Sequence, residues 1–134
     1  MRTALGASDG TIWADPAFQS ECVDVVSARL PEADFRDPSS YVETDENWFN
    51  PLRRYCPMLS LFSQIIDAAG IELTHDSFRA GAESLTDFAI PGYPAASLSA
   101  DKTYAADAFT IGVYDHTEGD GMAVPSGDFV DIFE

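Results

Sequence analysis

Few side chains in this sequence are of the kind that do chemistry. Its cysteines are Cys22 and Cys56, and its histidines are His75 and His116. A cysteine attacks a substrate only with a base in hydrogen-bond reach, and no family-type cysteine signature accompanies either histidine. His75 reads as an exposed first-turn residue of a helix and His116 as part of a loop. The run Asp115-His-Thr-Glu-Gly-Asp-Gly121 has the look of a calcium loop. It departs from the D-x-[DN]-x-[DN]-G pattern and lacks the bidentate glutamate at the twelfth position, so a solvated turn after a strand is expected instead. Phosphate-cradling glycine loops, nucleophile elbows and metal-spaced His/Cys clusters are absent from the sequence. No enzyme, metal or cofactor is therefore expected, and an acidic enzyme using Cys56 or the Asp115 loop ranks last among the readings. The cysteines leave two alternatives open: a disulfide between them, or two buried small hydrophobes that never meet.

Both cysteines fall on predicted helices. The chain is organised around the stretch Tyr55–Gly70, where Met58, Leu61, Phe62, Ile65, Ile66 and Ala69 recur at the spacing of one helical face. Gly70 supplies the stop. The start is either a cap at Asn50 with Pro51 in the first turn and Pro57 as an internal kink, or a later start near Cys56 with Pro57 in the first turn. An earlier helix begins at Asp15-Pro16, buries Phe18, Cys22, Val25 and Val26, and ends near Leu30-Pro31. A third, short helix is capped by Thr74, has Asp76 in its first turn, and carries Phe78, Ala82 and Leu85 as its stripe. Gly81 weakens it or permits close packing.

Between these lie residues 32–50, a polar, turn-rich surface connection anchored by Tyr41, Trp48 and Phe49. Thr3 to Gly10 reads as a loop and Phe88 to Pro94 as an irregular segment. Ala96–Leu98 reads as a short strand, and Ala108–Tyr114 is the best strand, alternating Phe109, Ile111 and Val113 with smaller partners. Residues 115–134 read as an irregular acidic tail. Three strongly apolar helix faces beside one good strand imply that most of a covering sheet is missing.

Composition narrows the partners. The 134 residues carry 23 acidic against 7 basic side chains, a formal net charge of −16, and Lys102 is the lone lysine. Such a surface repels phosphate backbones and anionic lipid, which argues against nucleic acid and direct membrane-surface binding. An apolar content of 46% argues against disorder. No run approaches the roughly 20 apolar residues of a membrane span, so no membrane insertion is expected. The first ten residues do not read as a secretory signal.

One wider pattern is more specific. Trp13-x-Asp-Pro-x-Phe-x-x-x-Cys22-x-Asp-Val-Val is followed by Tyr55-Cys-x-x-Leu-x-Leu-Phe62, Ala69-Gly70, Leu73-Thr74-x-x-Ser-Phe78, Asp87-Phe88, Pro91-Gly92, Asp101-Lys102, Asp107 and Val113-Tyr-Asp115. Over about Trp13 to Tyr114 this resembles the C-terminal part of type I periplasmic solute-binding proteins. These are the Leu/Ile/Val-binding-like receptors that feed ABC importers for amino acids, urea, short amides and related compounds. The resemblance implies an α/β fold, here part of a doubly wound lobe, from a protein of two lobes that close on solute by a hinge motion.

It further implies that residues 1–134 are one incomplete C-terminal segment. The remaining strands and the export signal would then lie upstream of Met1, since two lobes need roughly two to three times this length. The full-length protein would be periplasmic or extracellular, lipid-anchored or secreted, with the membrane permease as partner. That exported setting makes a Cys22–Cys56 disulfide reasonable. By the same resemblance Tyr55, at the start of the central helix, lies near the cleft, with Trp48 and Arg54 as further ligand-binding candidates beside it in sequence; a packed aromatic is the plain alternative for Tyr55. The competing expectation is a stand-alone acidic interaction module inside the cell.

Overall fold

A computed structural model of the chain describes residues 3–6, 9–102, 104–114, 123–125 and 127–131. The architecture is mixed α/β. It begins with strand β1 (Thr3–Gly6), followed by helices α1 (Asp9–Ala14) and α2 (Pro16–Phe18), a π-helical turn at Gln19–Val23, and α3 (Asp24–Ser27). Thr3–Gly6 is thus strand, and Asp9-Gly10 the start of a helix, where a loop was expected. Four strand residues are too few for a period to show in sequence, and β1 is fixed by its partner.

Asp15-Pro16 opens α2 as the sequence predicts, while α1 before it was not expected. The Asp15 backbone is extended, Pro16 takes the first helical position, and Asp15 Oδ2 accepts the Phe18 N–H at 3.0 Å. The buried face behind it differs from expectation. Phe18, Cys22 and Val23 are buried and Val26 is partly so, whereas Val25 is 55% exposed. The π turn is the reason: one extra residue per turn slips the helical phase, so Val23 rotates inward and Val25 outward.

The connection through residues 32–50 is a knot of charges more than a free loop. Arg36 pairs with Asp34 at 3.0 Å and with Asp45, and lies over the Tyr41 ring at 4.6 Å. The Tyr41 hydroxyl donates back to the Asp34 carbonyl at 2.6 Å. A single 3-10 turn, Pro38–Ser40, is capped by Asp37.

Helix α4 (Phe49–Ala69) then runs 21 residues with Pro57 inside it. The early start is the correct alternative: the helix opens at Phe49 after Trp48 at the N-cap, and Asn47 Oδ1 accepts the Asn50 N–H at 3.2 Å. Phe49 meets Trp13 and Phe18 edge-on at 6.0 and 5.9 Å, a geometry that the ring quadrupoles favour. Phe49 and Phe18 form the core with Ile12, Cys22, Val23 and Leu52, and Trp13, Tyr93 and Cys56 pack against it.

Helix α5 (His75–Ser84) is capped by Thr74, whose Oγ1 accepts the Ser77 N–H while Ser77 Oγ accepts the Thr74 N–H. It crosses α4 at Gly81. A Cβ there would lie 2.8 Å from both the Ile65 carbonyl oxygen and the Ala69 nitrogen. Of the two readings of Gly81, close packing is the observed one.

The strands carry the largest departures from expectation. β2 (Phe88–Ile90) and β3 (Tyr93–Ala96) form a hairpin where an irregular segment was expected. Pro91-Gly92 makes its two-residue turn with Gly92 at φ 84°, the Pro-then-Gly order of a type II turn. The Gly92 N–H donates to Asp15 Oδ2 at 2.7 Å, so one carboxylate caps a helix and pins the hairpin to it. β4 (Ala108–Tyr114) is a strand as predicted. It pairs with β1 (Thr3↔Val113, Gly6↔Thr110), with β5 (Ala123–Pro125) and with β6 (Val130–Asp131). The last two strands come from the stretch expected to be an irregular tail; at three and two residues they carry no readable alternation. Every pairing between these strands is antiparallel. The sheet that seemed mostly missing is in part supplied by strands too short to announce themselves.

Candidate functional site

The open side of α4 is the candidate site. From Tyr55 to Ile66 the helix carries no charged residue. Tyr55, Met58, Leu59 and Phe62, at i, i+3, i+4 and i+7, share one face and are 62%, 64%, 68% and 51% exposed. The predicted inward stripe is therefore corrected. Of Met58, Leu61, Phe62, Ile65, Ile66 and Ala69, only Ile65 is buried. The core instead draws on Phe49, Leu52 and Cys56, the side of the helix turned to the N-terminal segment. The cause is that α4 is apolar on two sides: the N-terminal segment packs on one, and on the other α5 covers only the C-terminal stretch around Ile65 and Ala69.

At more than half exposed, each of the four side chains offers roughly 100 Å², from the 150–250 Å² scale of large side chains. Together they reach the few hundred Å² at which an apolar patch reads as an interaction surface. Phe62 is steadied from the side by Phe78 of α5, ring to ring at 5.6 Å. The face offers aromatic, thioether and aliphatic contacts. Its surface is mainly apolar, with the Tyr55 hydroxyl as a polar tip, and suits hydrophobic contact.

Of the residues expected at a ligand, Tyr55 stands on this face. Trp48 sits at the helix N-cap, partly buried and tilted against Phe35 at 6.2 Å. Arg54 is exposed next to Tyr55. Trp48 and Tyr55 are seven residues apart and so lie two turns apart along one side of α4. Among the described residues no hydrogen bond, ion pair or ring contact joins the three.

Cys22 and Cys56 are bonded, with 5.9 Å between their Cα atoms. The bridge fastens the π-helical turn to the side of α4 that faces the core. With its sulfur bonded to Cys22, Cys56 presents no free thiolate in this structure. His75 is an exposed first-turn residue of α5, as expected. His116 and the Asp115–Gly121 run lie outside the described residues. No group of three metal-capable side chains occurs among the described residues, and no described helix is long and apolar enough to cross a membrane.

One polar cluster escaped the sequence reading. Lys102 and Asp107 form an ion pair with side chains only 12% and 5% exposed. Lys102 Nζ also donates to the Ser97 carbonyl and to Ser97 Oγ, both at 2.8 Å, and Ser97 Oγ donates to Asp107 Oδ2 at 2.5 Å. The ammonium lies over the Tyr104 ring at 4.8 Å. The cluster closes the β3–β4 connection, helped by the Asp107 N–H to Ala95 carbonyl bond at 2.9 Å. A lone lysine in so acidic a chain was the available signal.

No protein-family model, no curated protein and no solved structure matches the chain.

Proposed function

We propose that the chain is the C-terminal part of the solute-binding receptor of an ABC importer, taking amino acids, amides or similar small polar solutes. The observation that carries the reading is the second apolar face of α4. A helix apolar on two sides belongs between two layers, and among the described residues the second side is covered only toward its C-terminal end, by α5, which leaves Tyr55, Met58, Leu59 and Phe62 more than half exposed. In this reading the open face is the seat of the rest of the receptor, including the parallel strands that a doubly wound lobe requires. Tyr55 lies at the margin of that seat, toward the cleft, with Trp48 and Arg54 as secondary contacts. The membrane permease is the protein partner.

The Cys22–Cys56 disulfide supports a periplasmic or extracellular setting. Disulfides persist in oxidising compartments and are rare where glutathione and thioredoxin keep thiols reduced. The same bond weighs against a stand-alone acidic module inside the cell.

An antibody raised against the 134-residue chain tests the setting in fractionated source cells. The expected band lies in the exported fraction, at two to three times the mass of this chain, with its cysteines oxidised. A reduced cytosolic band at 14.5 kDa would overturn the reading. Calorimetry of the isolated chain against an amino-acid and amide panel should show no heat of binding, because half a cleft does not bury a solute. Micromolar affinity there would contradict the partial-receptor reading.

A further inference from the structure

We draw no further inference here: the strongest candidate beyond the α4 face, the buried Ser97–Lys102–Asp107 cluster in the β3–β4 connection, turns its hydrogen bonds inward on that same connection, and nothing in the structure points from it to a ligand.

Discussion

Reducing the Cys22–Cys56 bond is the sharpest single perturbation this structure offers. The bond joins residues 34 apart in sequence, and the chain-entropy relation for a loop of that size assigns about 4 kcal/mol to the constraint it places on the unfolded chain. Comparing oxidised with reduced wild-type protein keeps every side chain the same, so the difference reports the crosslink and not a cavity. A double Cys22→Ala/Cys56→Ala variant adds the loss of buried sulfur and should fall at least as far. Urea unfolding followed by the fluorescence of Trp13 and Trp48 is the assay. Trp13 packs against Phe49 and Trp48 against Phe35, so both report on the region the bridge holds together. With an m value near 2 kcal/mol/M, ordinary for a small domain, the midpoint should drop by about 2 M on reduction. A midpoint unmoved by reductant would refute the reasoning. So would the finding of two free thiols in the denatured, unreduced protein.

Three further substitutions test separate contacts. Gly81→Ala in a helix ordinarily stabilises by about 1 kcal/mol. Here the new methyl meets backbone atoms of α4, so thermal melts should show a loss of about 1–3 kcal/mol, and a gain would disprove the close approach. Lys102→Met strands the buried Asp107 carboxylate and should cost about 3–5 kcal/mol, while Lys102→Met/Asp107→Leu recovers most of it. A double variant as unstable as the single one would show that the charge pairing is not what matters. Leu59→Lys, on the open face of α4, should leave the unfolding free energy within about 0.5 kcal/mol of wild type and raise solubility. A loss above about 2 kcal/mol would mean that the chain itself covers that face.

What could be read from the sequence was what local chemistry decides. Asp15-Pro16 and Thr74 open their helices because side-chain oxygens there meet free backbone N–H groups. Gly70 ends α4 at φ 81°, and Ala108–Tyr114 alternates strongly enough to read as a strand. What could not be read was set by partners distant in the chain. β1, β5 and β6 are strands because β4 lies beside them, and their own residues carry too little pattern to say so. The π turn at Gln19–Val23 exchanged Val25 for Val23 in the core, a slip of phase that no periodicity count anticipates. Pro91-Gly92 is itself a turn signal, but the strands it joins, at three and four residues, are too short to mark the hairpin around it.

The same division explains why α4 was assigned its inner face wrongly. Its apolar residues satisfy the spacing rule on two sides, and spacing says nothing about which side the rest of the chain reaches first. The bridge to Cys22 and the ring contacts of Phe49 draw the N-terminal half of the helix against the N-terminal core. Gly81 lets α5 close over Ile65 and Ala69 farther along. Between these two anchors Tyr55, Met58, Leu59 and Phe62 are left more than half exposed, held in place by the core contacts across the helix and by α5 at its far end. A surface fixed in this way is ordered before anything binds to it, so a partner that docks there meets a preformed helical face instead of one it must fold.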